Sequence, residues 1–561
     1  MVPTQILDIA PEILIKILKN LHFIDILSCA QTCQTMSEII RSSLELDYYK
    51  HLHVAGLLDN PRCYLPLSER LGRLKEREQR WNAFEYKTNS VYPVPHNTSN
   101  LFEISPSTIV MGIALDNGKP GTKGLQTAQL ATLDTDQGDI PLAWKDFKSQ
   151  ADILEIGVAI EEHDLIACIV SIPDSEGLAQ GSDILVFLRR YSSELWHDGC
   201  KEPILPICSL GGANGTPNFT IEISGENLAI TMVFNGRNRE DESTVEDSMF
   251  IYDWKLGKNK TPNGMPIISG GLAFLQENII ARPNCIRKSI DLYHVPSSND
   301  LFSNSGSQVQ LIRQLLLPET PFEWFMTTFE IRSTPNPASD STCPEFISQD
   351  KPFTNDPSQA IIFFSIYFFN VETQDLKNFI VFTHRKNLLD LVPWKRADPV
   401  FIDDDRPFDH LDWEQWGPPA TRWFSEDQFR SAQVTTTSGQ RYAMTVYSTE
   451  KELPNRNATP KIQLINFSPW TVKMAQWGLL EGLEVVGGDR KDLDGEELAE
   501  NRCPASEIFF VDVVGRLPYA RTIKSVEWPH PAAMMNEDML IGLILKPGTR
   551  HVEYVSAMYF G

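Results

Sequence analysis

The sequence predicts an α+β multidomain chain: a short all-α block, a helical linker and a long all-β body. Three observations predict it. Apolar residues recur at helical spacing up to about residue 90. Beyond that point, short strand-like runs alternate with Gly, Pro, Asn and Asp. The charge also divides there. Residues 1–90 carry eleven basic and eleven acidic side chains, so the whole net charge of −24 belongs to the body. The expected boundaries are 1–48 for the helical block, 49–90 for the linker and 91–561 for the body.

Composition narrows the function classes. An apolar content of 42% and a charged content of 22% over 561 residues suit a globular protein with a sizeable core. An acidic body repels phosphate backbones and anionic bilayers, so neither nucleic acid nor membrane is an expected partner. The nine cysteines are scattered and form no CxxC pair. They read as small apolar fillers in a reducing compartment, the cytoplasm or nucleus or both. Asp8 and Glu12 stand where a secretory signal would be basic. The longest apolar run, "AIIFFSIYFF" at 360–369, is about half the length of a spanning helix.

In the helical block, Pro11 suits a first helical turn and Glu12 suits its positive end. Ile13, Leu14, Ile17, Leu18 and Leu21 follow at helical spacing. Asp25 reads as the N-cap of a second helix carrying Ile26, Leu27, Ala30 and Cys33. Met36, Ile39 and Ile40 supply a third apolar face. Three short helices bury too little to be stable alone, and their apolar faces exceed what they can hide from one another. Part of that surface is expected to dock elsewhere.

The linker opens with "LELDYYKHLHVAGLLDNP", an amphipathic helix stopped at Gly56. "LSERLGRLKEREQRW" follows, with Ser68 as the expected N-cap. Leu67, Leu71, Leu74, Trp81 and Phe84 line one face of it. Its arginines interleave with Glu69, Glu76 and Glu78, which reads as a solvated face laced by i,i+4 ion pairs.

The opening block resembles an F-box, whose usual start is Leu-Pro-x-Glu-Ile-Leu, then Ile-Leu and a Leu-Asp turn. Here Ile9-Ala10-Pro11-Glu12-Ile13-Leu14 is followed by Ile17-Leu18, Leu21 and "FIDILSCAQTC". Ala10 departs from the usual Pro, and Thr32 and Met36 from the usual Val and Trp. The resemblance covers about 45 residues. The linker resembles that of fungal F-box proteins of the mushroom lineage: a helix ending in Ala-Gly, then a Ser-x-Arg-Leu helix ending in Trp. "DWEQWGPPATRWF" (412–424) and "GRLPYART" (515–522) look like stretches those proteins share.

In the body, trios of strand-like runs recur every 40–65 residues: at 152–191, 219–257 and 271–296, with pairs continuing to "MLIGLIL" and "HVEYVSAMYF". This loose repeat with long polar insertions is the pattern of a β-propeller, about six to eight blades. The resemblance implies the same. A pair of β-sandwiches is the alternative, and closure separates the two: in a propeller the last strand pairs into the first blade.

Candidate chemistry is sparse. Asp403, Asp404, Asp405, Asp409, His410 and Asp412 crowd together, but their spacing matches no cation-binding loop, and an acidic surface loop is the simpler reading. "GGANGT" (211–216) lacks the Gly-Lys-Ser/Thr of a phosphate cradle. Cys29 and Cys33 read as core fillers. No nucleophile with an evident base appears, so no catalytic residue, cofactor or metal is expected. Trp413, Trp416, Arg422 and Trp423 lie within eleven positions. They form either a target-binding patch, since Trp and Arg dominate hot spots, or a core plug. "WGPP" fixes a turn and favours the plug.

The resemblance implies a non-catalytic adaptor of a Skp-cullin-F-box ubiquitin ligase. The helical block would bind the Skp-type linker subunit through Pro11, Ile13, Leu14, Ile17, Leu18, Leu21 and Leu27, and the propeller would hold a target protein. A non-ligase scaffold, a ligand-sensing propeller and a hydrolase assembled by folding remain the alternatives.

Overall fold

The computed structural model describes residues 6–116, 119–130, 142–173, 181–211, 217–234, 246–298, 308–338, 344–393, 409–425, 437–446, 460–489, 497–503, 508–530 and 533–561. Helix α1 (Pro11–Leu18) starts with Pro11 at its first position. Helices α2 (Phe23–Ala30), α3 (Gln34–Ser42) and α4 (Leu44–Ala55) follow. Leu18, Ile26, Met36, Ile40 and Leu46 make their small shared core. Helix α4 stops at Gly56, whose φ of 69° is the left-handed conformation that favours glycine. Helix α5 (Leu67–Ala83) completes the linker.

Local capping departs from the expectation at three places. His22, not Asp25, caps α2; Asp25 lies in its first turn, where the helix dipole still favours it. Helix α5 begins at Leu67 after Pro66, so Ser68 is already inside it. Cys33 is no core filler: it is exposed, and its Sγ accepts the Met36 N–H at the start of α3.

Among the described residues, seven sheets of four or more strands follow in chain order. Blades 1 to 3 start with Thr98–Ile104, Asp152–Ala159 and Asn218–Ser224. Blades 4 to 7 start with Ala273–Gln276, Trp324–Arg332, Thr437–Ser438 and Ala533–Met535. Their pairing is antiparallel throughout, apart from His410–Leu411, which adds a parallel strand to blade 4. The ring is closed in the reverse sense to the expectation: the last strand does not enter blade 1, but the first body strand, Thr88–Pro93, completes blade 7 by pairing antiparallel with it, Thr88 opposite Tyr559 and Pro93 opposite Tyr554. This closure decides for a propeller over two sandwiches, and it leaves no blade with an open ring edge.

The alternating strands put one apolar face against each neighbouring blade. Blades 2 and 3 share Leu165, Leu188, Ile223 and Trp254. Blades 4 and 5 share Leu292, Leu315, Phe329 and Phe364. At the junction of blades 6 and 7 the cluster of Ile462, Leu464, Trp528 and Leu540 also takes in Trp81 and Phe84 of α5.

Candidate partner-binding surfaces

The helical block keeps apolar side chains in water. Ile13 is 53% exposed, and Ile17, one turn later on α1, is exposed beside it. Ile24 and Leu27 are the exposed apolar pair of α2, and Ile6 and Leu7 precede α1. Pro11 is exposed and Leu21 is partly buried against the helical core. Leu14 and Leu18 point the other way and are buried. The seven residues singled out in the sequence therefore divide. Pro11, Ile13, Ile17 and Leu27 face solvent, while Leu14, Leu18 and Leu21 hold the helices together.

The block is fixed to the propeller by interlocking contacts. Phe23 of α2 meets the Trp470 ring edge-on at 4.9 Å, and Ser468 Oγ donates to the Val54 carbonyl of α4 at 3.0 Å. The strand Leu57–Asp59 pairs with Phe353–Asn355, which lies between the first two strands of blade 5. Tyr48 hydroxyl reaches Asp59 at 2.9 Å, and Asn60 Nδ2 donates to the Ser348 and Lys351 carbonyls.

Helix α5 is anchored by charge as well. Its exposed Arg73–Glu69 and Arg80–Glu76 pairs are the expected i,i+4 bridges. Arg77 is not part of a solvated face: it is 1% exposed, with Nε on Asp538 at 2.8 Å and Nη1 on Glu78 at 2.6 Å. Lys351 reaches Glu537 and Asp538, and Arg441 reaches Glu78, so the linker, blade 5, blade 6 and blade 7 share one ionic network. Burial pushes the Asp538 carboxyl up, but Lys351 and Arg77 together hold it below the ordinary aspartate range.

The tryptophan cluster is a core plug. Trp413, Trp416, Arg422 and Trp423 are all buried. Trp413 packs edge-on against Trp416 and Trp423 at 5.3 and 5.6 Å. Trp416 Nε1 donates to the Leu316 carbonyl at 2.9 Å. Arg422 Nε donates to the Leu517 carbonyl and its Nη2 to Asn501. "WGPP" is the end of a short helix, Trp413–Ala420, rather than a turn. Gly417 is needed there because an added Cβ would meet the Trp413 ring at 2.1 Å. Asp409 is occupied by Arg313 at 2.6 Å and Asp412 caps this helix, whereas Asp403, Asp404, Asp405 and most of "GGANGT" lie outside the described residues.

A cavity lies where the first strands of blades 1, 2, 3 and 5 end. The segment after Arg332 lines it, and Asn336 Nδ2 donates to Glu222 at 2.6 Å. Burial raises the Glu222 carboxyl to about 7, and Glu155 likewise, with the nearby Glu103 charge adding to both. Sequence spacing gave no hint of this acidic ring, because its members come from three different blades.

Among the described residues, a helical block is locked to one face of a propeller of seven blades. Residues 6–47 match the F-box domain model, so that block is an F-box domain. No curated protein matches the chain. Among solved structures, the WD40 domain of SCAP from fission yeast is 10% identical, with 84% of this chain and 95% of that chain covered and a TM-score of 0.32. A functionally unknown protein from Desulfotomaculum acetoxidans is also 10% identical, covering 67% of this chain and 84% of that one, with a TM-score of 0.26.

Proposed function

We propose that the chain is a substrate-recognition adaptor of a Skp-cullin-F-box ubiquitin ligase. The F-box binds the Skp-type subunit, and the propeller holds a target protein. The carrying observation is that residues 6–47 match an F-box while Ile13, Ile17 and Leu27 stay exposed on helices otherwise packed into the chain. Apolar side chains left out of a small core gain most by docking on a partner. Pro11, Ile13, Ile17 and Leu27 make the contact, and Leu14, Leu18 and Leu21 hold the helices that present them. The chain itself does no chemistry. It raises the local concentration of target lysines at the ligase. The many contacts that the F-box and linker make with the propeller suit this role, since a fixed spacing makes delivery reproducible. The Ala55-Gly56 stop and the Ser68-Glu69-Arg70-Leu71 helix ending near Trp81 support the fungal, mushroom-lineage type. The scattered cysteines suit the cytoplasm or nucleus.

Co-expression with a fungal Skp-type subunit tests this. The native chain is expected to co-purify with it, and Ile13→Asp/Ile17→Asp to lose it while keeping its melting temperature. A folded native chain that ignores the subunit would sink the adaptor reading.

A further inference from the structure

Among the described residues, a second apolar surface of the propeller is left exposed, on the face away from the F-box. Strand direction places it there. The linker docks at the turns that follow the first strands: Arg77 at Asp538 in blade 7, Leu57–Asp59 at Phe353–Asn355 in blade 5. The starts of the first strands, and the turns between second and third strands, are therefore on the opposite face. In blade 5 this end carries a row of apolar residues. Phe325 pairs with Phe369, and Phe369 with Leu376, so the three lie side by side across three strands. Phe325 is 53% exposed, Leu376 54%, and Phe322, just before the first strand, 84%. Val371 is exposed in the turn between the second and third strands. Phe510, also exposed, is held at this rim by its N–H on the Glu319 carbonyl at 3.1 Å.

The blade does not need these side chains for its own core. Trp324, Met326 and Phe368 are the buried set. Isolated exposed apolar residues are ordinary, but a contiguous row of aromatics marks an interaction site. Its border is acidic: Glu319, Glu372, Asp375 and Asp512 are exposed around it. Of the nearby bases, Arg502 is tied to Asp512, Lys288 donates to Thr320 beside Glu319, and Lys377 next to Leu376 is exposed, so the four carboxylates outnumber three bases. A second copy of this chain would bring two such borders, on molecules of net charge −24, face to face. Charge complementarity selects a different occupant.

We propose that this rim of blade 5 docks a segment of a partner protein that carries aromatic or long aliphatic anchors flanked by Lys or Arg. The apolar anchors sit on Phe322, Phe325 and Leu376, and the basic flanks meet the acidic border. On the adaptor reading, on which its biological meaning rests, this segment belongs to the target protein.

The test is a selection from a displayed random-peptide library on the immobilised full chain. Enriched peptides are expected to combine aromatic or aliphatic residues with Lys or Arg. Their binding should fall at least about tenfold with Phe322→Ser/Phe325→Ser, and also with Glu319→Lys/Glu372→Lys/Asp375→Lys, which alters exposed charge and one turn hydrogen bond from Thr373 to Asp375. Peptides that bind both variants as tightly as the native chain, acidic peptides, or no enrichment would overturn the proposal. So would a native dimer in sedimentation that the serine variant dissolves. Skp-type subunit binding is measured in parallel. Because the rim faces away from the F-box, both variants should retain it. Peptide binding by a chain that never takes the subunit would sink the adaptor reading and leave this surface standing.

Discussion

Helices α1 and α5 are both amphipathic helices from the same neutral stretch, yet they end in opposite states. Helix α1 holds Ile13 and Ile17 in water. Helix α5 buries Trp81 against Phe560, stacked at 3.8 Å, and even its Arg77 is out of solvent. The difference lies in where the complementary surface comes from. For α5 it is provided within the chain, by blades 6 and 7. For the outer face of α1 nothing in the described chain covers it. An apolar stripe in a sequence therefore states that something will be buried and leaves open which molecule buries it.

The comparison can be broken hardest at α5. Trp81→Ala should destabilise the chain by about 3–5 kcal/mol by opening a cavity, and Arg77→Ala by less, because Lys351 and Arg441 still pair with Asp538 and Glu78. Chemical denaturation of the full chain measures it. A loss near zero would mean that the linker is not part of the folded unit. A smaller effect comes from Asp538→Asn, about 1–3 kcal/mol near neutral pH. Its pH dependence is the sharper test. A carboxyl held below its ordinary range adds stability above that range and loses it as pH falls through the lowered folded value. The gap between native and Asp538→Asn chains should therefore close in acid. Parallel curves would show that the ionic contact contributes nothing. At the small end, Ile13→Asp/Ile17→Asp should change stability by no more than about 0.5 kcal/mol per site while removing partner binding. A large loss would mean that α1 is completed within the chain, as α5 is.

The outcome of the sequence reading follows the range of the interactions involved. Blades 2, 3 and 4 were legible as strand trios because short apolar runs bounded by turn residues are a local signal. Blade 1 was missed, with its strands at 98–148 interrupted by polar stretches, as was the closing strand Thr88–Pro93, which has no apolar alternation strong enough to stand out. Trp413, Trp416 and Trp423 were recognisable as a cluster, but whether it was a plug or a patch depended on blades 4 and 5 arriving around it. The rim of blade 5 was invisible. Phe325 and Leu376 are about fifty positions apart, and only strand register brings them together.

By itself, the sequence determined that the chain opens as an F-box with helices that stop at Gly56, that a repeated all-β body follows, and that the body carries the acid. Those are consequences of local spacing, capping and composition. Tertiary structure alone decided that Leu14 and Leu18 turn inward while Ile13 and Ile17 stay out, that Arg77 joins a buried network, and that an apolar rim faces away from the F-box. Each of these depends on which distant surface meets a residue, and burial is a property of that meeting rather than of the residue.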